Sequence, residues 1–295
     1  MKGLGERRAL ITGAGGQLGL ALQAQAPEGW TVVPCRTAAL DVTRPDQVRS
    51  VLERERPDVV LHAAAYTAVD AAESAVARAE AVNAAGTGVV AEAARAVDAR
   101  LIYLSTDFVF DGRAGRPYRP EDPTGPLGVY GRTKLEGERR ARAVLGDRAL
   151  VMRTAWVYGA QGHNFLLTML RLMRERDEVG VVSDQVGTPT WVRSLAAALW
   201  AAAARPSLAG VLHWTDAGVA SWYDFAVAIQ EDALAAGLLA RAVPVRPLAT
   251  EQFPTPARRP PYSVLDKRTA WEALGLPATH WRVHLRQAIR ELAGD

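Results

Sequence analysis

Cysteine is almost absent: Cys35 stands alone among 295 residues, which excludes an internal disulfide framework. Five scattered histidines beside one thiol do not make a structural zinc site. No apolar run approaches a membrane span. The opening residues Met1 to Gly16 carry basic side chains but neither an apolar h-region nor a small-residue cleavage site, so no secretory leader and a cytoplasmic location are expected. An excess of charge is also missing. The net value of +3 is too mild and too dispersed to argue for nucleic acid or a membrane as partner. Lysine is the scarcest basic residue, with Lys2, Lys134 and Lys267 against thirty-two arginines. An ammonium and a guanidinium are not interchangeable in a site, so a lysine retained against that bias raises a question. Lys2 is terminal and is set aside.

What remains is an ordinary globular composition, 49% hydrophobic and 23% charged, with a mean hydropathy of −0.04. The length suits one large α/β domain, or one with a smaller lobe added. Short β-type runs at Arg8 to Thr12, Thr31 to Cys35, Asp58 to His62, Leu101 to Ser105 and Ala149 to Arg153 alternate with helical periodicity at 17–26, 44–56, 71–96 and 129–144. Strand, helix, strand repeated in this way implies right-handed crossovers and a parallel sheet covered on both faces. Beyond Gly159 the rhythm loosens, and a helix at 164–176, a strand at 179–182, a helix at 192–204 and a strand at 211–214 could still join the main sheet. The proline-rich stretch from Val243 to Pro261 reads as extended chain. With two final helices it suits a small lobe over the strand ends, where ligands of open α/β sheets sit.

The first strand runs into Gly13-Ala14-Gly15-Gly16-Gln17-Leu18-Gly19. A glycine triplet alone fits any tight turn. One that follows a strand and opens a helix fits a dinucleotide site, with the pyrophosphate at the helix N-terminus. Some twenty residues on, where an acid would hold a ribose 2′-hydroxyl, stands Arg36, which suits the 2′-phosphate of NADPH. NADH stays open, because Arg36 is also one surface arginine among many. Tyr130-x-x-x-Lys134 opens another helix with phenol and ammonium on one face. The expectation is that Lys134 draws the Tyr130 pKa down toward neutrality. The plainer alternative is a packed tyrosine and a solvated lysine. Upstream, Ser105-Thr106-Asp107 ends a strand at its carboxyl edge, where Thr106 is placed to hydrogen-bond a carbonyl oxygen gaining charge.

The glycine loop, Asp41-Val42-Thr43, His62-Ala63-Ala64-Ala65-Tyr66-Thr67-Ala68-Val69-Asp70, Val82-Asn83-x-x-Gly86-Thr87, Ser105-Thr106-Asp107 and Tyr130-x-x-x-Lys134 together resemble an extended short-chain dehydrogenase/reductase. Arg153-Thr154-Ala155-Trp156-Val157-Tyr158-Gly159, the run Ser183 to Thr190 and the run Arg258 to Asp266 are similar to the dTDP-4-dehydrorhamnose reductase family. With Ser105 to Gly112, that resemblance covers almost the full chain.

The resemblance implies a Rossmann-type doubly wound sheet with a smaller discontinuous C-terminal substrate-binding lobe. Residues 1–155 would form the dinucleotide domain, rejoined by segments at about 179–214, and 156–295 mainly the sugar-nucleotide lobe. It implies reduction of a 4-keto sugar linked to dTDP by a nicotinamide cofactor. Tyr130 would give the proton, Thr106 would hold the oxygen, and Lys134 would orient the ribose. Gly13, Gly16 and Gly19 would cradle the pyrophosphate, with Gln17 and Leu18 at the helix start, Asp41 and Val42 would lie beside the adenine, and Ala63, Ala64 and Ala65 beside the adenosine ribose. Asp107, Phe108 and Trp156 would line the sugar pocket, although Trp156 is equally readable as core. A requirement for Mg²⁺ and a homodimer both stay open. His62 stands where many relatives carry Asn, and Phe108 where many carry Tyr. The same fold hosts sugar-nucleotide epimerases and 4,6-dehydratases, which are the alternatives within it; a dehydratase would follow its threonine with Asp-Glu, whereas here Asp107-Phe108 follows. The rival from another class is a non-catalytic regulatory subunit like the β subunit of methionine adenosyltransferase. Gln185 to Thr190 reads as either a turn set by Gly187 and Pro189 or part of the site, and Cys35 as a buried or half-buried thiol.

Overall fold

The computed structural model describes residues 7–294; Lys2 lies outside them. The first half alternates as its periodicity dictates: β1 (Arg7–Thr12), α1 (Gln17–Ala24), β2 (Trp30–Cys35), α2 (Pro45–Glu55) and β3 (Val59–His62). β3 is buried at all four positions, as a central parallel strand covered on both faces must be. Pro45 starts α2, where a missing N–H costs nothing, and Arg56 in the left-handed region ends it.

The single long helix expected over 71–96 is instead three pieces around a wider turn. They are α3 (Val69–Ala72), α4 (Val76–Ala79), a π-helical turn at Glu80–Ala85, and α5 (Gly86–Ala96). Within the π turn Asn83 is turned inward, where its amide clamps both backbone groups of Tyr66, accepting from the N–H at 2.8 Å and donating to the carbonyl at 3.1 Å. Alanine-rich periodicity cannot register that tertiary demand. β4 (Arg100–Thr106), α6 (Val129–Leu145) and β5 (Ala149–Thr154) complete this half.

The second half contributes β6 (Val157–Tyr158), α7 (Phe165–Glu175), β7 (Val179–Val182), β8 (Val186–Gly187), β9 (Thr190–Trp191), α8 (Val192–Ala203) and β10 (Gly210–His213). β11 (Ala220–Ser221), α9 (Trp222–Ala235), β12 (Val245–Leu248), α10 (Arg268–Leu274) and α11 (Trp281–Ala293) follow. β10 joins the main sheet beside β5, giving the order β10-β5-β4-β3-β1-β2 with every pairing parallel.

β7 corrects the expectation that the whole of 179–214 rejoins that sheet. It pairs with β12 in a separate two-stranded sheet, because Val179 and Val181 belong to a second core with α7, α9 and α11. The proline-rich stretch is extended at β12, as its X-Pro steps require. One face of the main sheet is closed by α1, α8 and α10, the other by α2, α5 and α6. Cys35 is buried in the latter core. Among the described residues no helix is long and apolar enough to cross a membrane.

Candidate active site

The chain leaves β1 toward β2 on one side and reaches β3 on the other, so a crevice opens between the carboxyl ends of β1 and β3, the usual place for a ligand in such sheets. A cleft of about 740 Å³ begins there and runs along the strand ends to β4 and β5. It is lined by Gly13, Gly16, Gln17, Leu18, Gly19, Asp41, Val42, Ala63, Ala64, Ala65, Thr106, Asp107, Phe108, Tyr130, Lys134 and Trp156. Every residue proposed for the site from the sequence is therefore on its wall except Arg36. The aliphatic carbons of Arg36 instead lie 3.7 Å from where a Cβ on Gly15 would stand, which sets an exposed guanidinium beside the glycine loop rather than within the cleft.

Two of the loop's glycines are sterically required. Gly13 has φ +66°, and a Cβ there would stand 2.7 Å from the Ala64 nitrogen; a Cβ on Gly19 would overlap the Gly13 carbonyl and come within 2.6 Å of the Ala14 Cα. Gly16 caps α1 without a side chain, and the first turn holds no acid. The positive end of that helix is thus left uncompensated at the cleft. Asp41 uses its carboxylate locally, accepting from the Thr43 N–H at 2.9 Å and hydroxyl at 2.7 Å, and those bonds hold its pKa below the usual value. The side chain of Gln17 reaches into the second half of the chain. It donates to the His163 carbonyl at 3.0 Å and accepts from Asn164 at 2.8 Å, tying the 159–164 loop over the start of α1.

At the other end, Thr106 donates to Asp107 at 3.1 Å and accepts from the Phe108 N–H at 3.2 Å. Burial raises Asp107 to about 6 despite the neighbouring Ser263 and Thr106 hydroxyls. Tyr130 and Lys134 come from the first turns of α6, whose Val129 N–H is capped by the Glu73 carboxylate at 2.7 Å. Phe108 meets Tyr130 edge-on at 5.6 Å. The expected fall in the Tyr130 pKa does not occur. Burial pushes it up to about 12, and the Asp107 charge adds to that, against the Thr106 hydroxyl. The perturbed partner is Lys134, brought down to about 7 by burial while Glu138 opposes the change. Its ammonium donates to the Leu104 carbonyl at 2.7 Å and lies 4.2 Å from the Tyr103 ring centroid.

Trp156 lines the cleft with a left-handed backbone, φ +49°, an unusual state for a bulky residue. One face of its indole is covered by Trp222 at 3.5 Å and 5°. Gly187 is the residue that makes room: a Cβ there would sit 2.6 Å from the Trp156 Cε2. Sequence reasoning missed Trp222, which also lines the cleft, because nothing near it in sequence marks it.

Also missed were two buried networks behind the wall. Glu138 accepts from Ser105 at 2.5 Å and binds Arg153 through both oxygens, at 2.9 and 2.7 Å. Arg153 continues to His213 at 3.4 Å. His62 joins Thr12 at 2.7 Å and Thr87 at 3.2 Å, and Thr12 in turn accepts the Ala64 N–H at 3.2 Å. The Ala63 to Ala65 wall is thereby fixed to β1 and α5. The spacing Tyr130, Lys134, Glu138, one helix turn apart each time, was the available signal for the first network.

A family model described as the RmlD substrate binding domain matches residues 7–293. The chain belongs to the dTDP-4-dehydrorhamnose reductase family. It is 46% identical to dTDP-4-dehydrorhamnose reductase of Streptomyces griseus over 97% of this chain and 94% of that protein. The Burkholderia thailandensis reductase is 43% identical over 96% of this chain and 98% of its own length. The crystal structure of the Bacillus anthracis reductase in complex with NADP superposes with a TM-score of 0.91, covering 97% of this chain and 99% of that one at 36% identity. A Thermus thermophilus UDP-glucose 4-epimerase, at 19% identity and a TM-score of 0.79, shares the fold. Thr106, Tyr130 and Lys134 line one and the same cleft here.

Proposed function

We propose that this chain reduces the 4-keto group of dTDP-4-dehydro-L-rhamnose, giving dTDP-L-rhamnose, with NADPH as reductant. The observation that carries this reading is one cleft lined by both the glycine loop and the Thr106, Tyr130, Lys134 set. A dinucleotide fits the residues present: Gly13 and Gly19 leave space that any Cβ would fill, and the open N-terminus of α1 suits a pyrophosphate. NADP in the Bacillus anthracis relative and the exposed Arg36 beside Gly15 favour the phosphorylated form.

Bound NADPH supplies the hydride that C4 receives. Tyr130, held protonated by a pKa of about 12, gives its proton to the C4 oxygen. Thr106 redirects its hydroxyl from Asp107 to that oxygen and stabilises the developing charge. Lys134 keeps one N–H on the Leu104 carbonyl and has two others for a ribose hydroxyl. Asp107 and Trp156 bound the sugar. Phe108, packed edge-on against Tyr130, occupies the position where a dehydratase would need a carboxylate.

The test is NADPH oxidation with dTDP-4-dehydro-L-rhamnose, followed by loss of nicotinamide absorbance. Tyr130→Phe is expected to lower turnover by about a hundred-fold or more while cofactor still binds. A wild-type protein that binds NADPH and consumes none with this substrate refutes the reading and favours a cofactor-binding partner protein.

A further inference from the structure

Lys134 is only 3% exposed, and its ammonium donates to a backbone carbonyl, a neutral acceptor. A charge in such a place needs a fixed counter-charge. Four residues along α6, one turn onward and on the same face, stands Glu138, also 3% exposed. Its carboxylate is immobilised by Ser105 of β4 and by the two-point grip of Arg153 of β5. The β4 partners of the two side chains, Leu104 for Lys134 and Ser105 for Glu138, are consecutive residues, and Thr106 comes next. Lys134 and Glu138 thus pin the end of β4 to α6 immediately before the hydroxyl that faces the cleft.

We propose that Glu138 is a positioning residue of this site: its buried carboxylate favours the charged form of Lys134 and keeps that ammonium docked on β4, and through that contact fixes the strand end bearing Thr106. This rests on the reductase reading for its catalytic consequence, but not for its electrostatic content.

The groups facing Lys134 are few. On α6 they are Tyr130 and Glu138, from β4 Tyr103 and, in the same cleft, Asp107, from β3 His62, and behind Glu138 the Arg153 guanidinium of β5. Tyr130 and Tyr103 are both held above the ordinary phenol value, and His62 is held far below the usual imidazole value, partly by Lys134 itself. None of these three bears charge near neutrality. Glu138 is the neighbour that favours the ammonium.

The scarcity of lysine makes the test direct. Lysine isotope-labelled at Cε gives three signals in the full-length chain, assigned with Lys134→Arg and Lys267→Arg, and the pH titration of each signal reads its protonation without any turnover. In the wild type the Lys134 midpoint is expected near 7. Glu138→Gln lowers that midpoint by about one pH unit or more, and Glu138→Asp, which keeps the charge, restores most of the shift. In the turnover assay the alkaline limb of kcat/KM moves down with the same midpoint. Where Glu138→Gln alone fails to fold, Glu138→Gln/Arg153→Met removes the ion pair as a unit, a change that buried pairs often tolerate; because the Arg153 cation leaves as well, its midpoint is compared with that of Arg153→Met, and a fall of about one pH unit between those two is expected. The absence of a fall in either comparison overturns the proposal. A wild type that turns over nothing leaves the titration to decide it and refutes only the reductase reading.

Discussion

His62→Asn is the perturbation whose consequence follows most directly from the structure. The side chain is 1% exposed and both ring nitrogens are used. Thr87 gives its hydroxyl hydrogen to the Asn83 carbonyl at 2.8 Å, so its oxygen accepts from His62 Nε2–H. Nδ1 then accepts from the Thr12 hydroxyl, whose oxygen already receives the Ala64 N–H. This wiring is that of a neutral imidazole. Burial, helped by the Lys134 charge, brings its pKa from 6.5 to about 3. A base whose folded pKa is depressed contributes its full stability above the unfolded value and loses it as pH falls toward the folded one. The window here therefore runs from 6.5 down to about 3. Each pKa unit is worth about 1.4 kcal/mol, so at about pH 5 the fold has lost roughly 2 kcal/mol to this one side chain. Buried His213, also near 3, adds a similar loss. Urea unfolding of wild type and His62→Asn at about pH 7.5 and about pH 5 measures the difference: the wild type is expected to lose about 2 kcal/mol more than the variant over that interval. Equal losses would show that His62 titrates normally and would refute the neutral-relay assignment.

Other expectations follow from single contacts. Gly187→Ala drives a methyl into the Trp156 indole, where Cε2 is 2.6 Å away; overpacking of this kind costs about 1–3 kcal/mol, visible as a lower Tm, and the Trp156 and Trp222 fluorescence should change with the broken stack. Arg36→Glu is expected to raise KM for NADPH much more than for NADH, and equal changes would remove Arg36 from 2′-phosphate recognition. Gln17→Ala cuts both bonds that hold the 159–164 loop, so cofactor release measured by stopped-flow should quicken several-fold, with an unchanged rate showing that the loop does not gate the cleft.

The strand and helix periods of the first half were readable residue by residue, because alternation and the 3.6 repeat are local properties of a chain that buries one or both faces. The glycine loop and the Tyr130, Lys134 spacing were readable for the same reason. Asn83 marks where that reading stopped: its partner Tyr66 lies 17 residues away, and the π turn that aims it has no period of its own. β7 is similar. Its valines suit any buried strand, and only their packing with α7, α9 and α11 decided that they pair with β12 instead of the main sheet.

The lone thiol, the mild charge and the retained Lys134 were enough to direct attention to a glycine loop and a tyrosine-lysine helix, since motif spacing along one element is written in the chain itself. Tertiary structure decided the electrostatics. A phenol expected to be acidified by its lysine is instead held near 12, and the lysine is the group brought into the neutral range. Desolvation is the reason: it depends on what every neighbouring element excludes from the site, and Glu138, Ser105 and Arg153, which answer it, meet only when β4, β5 and α6 are packed together.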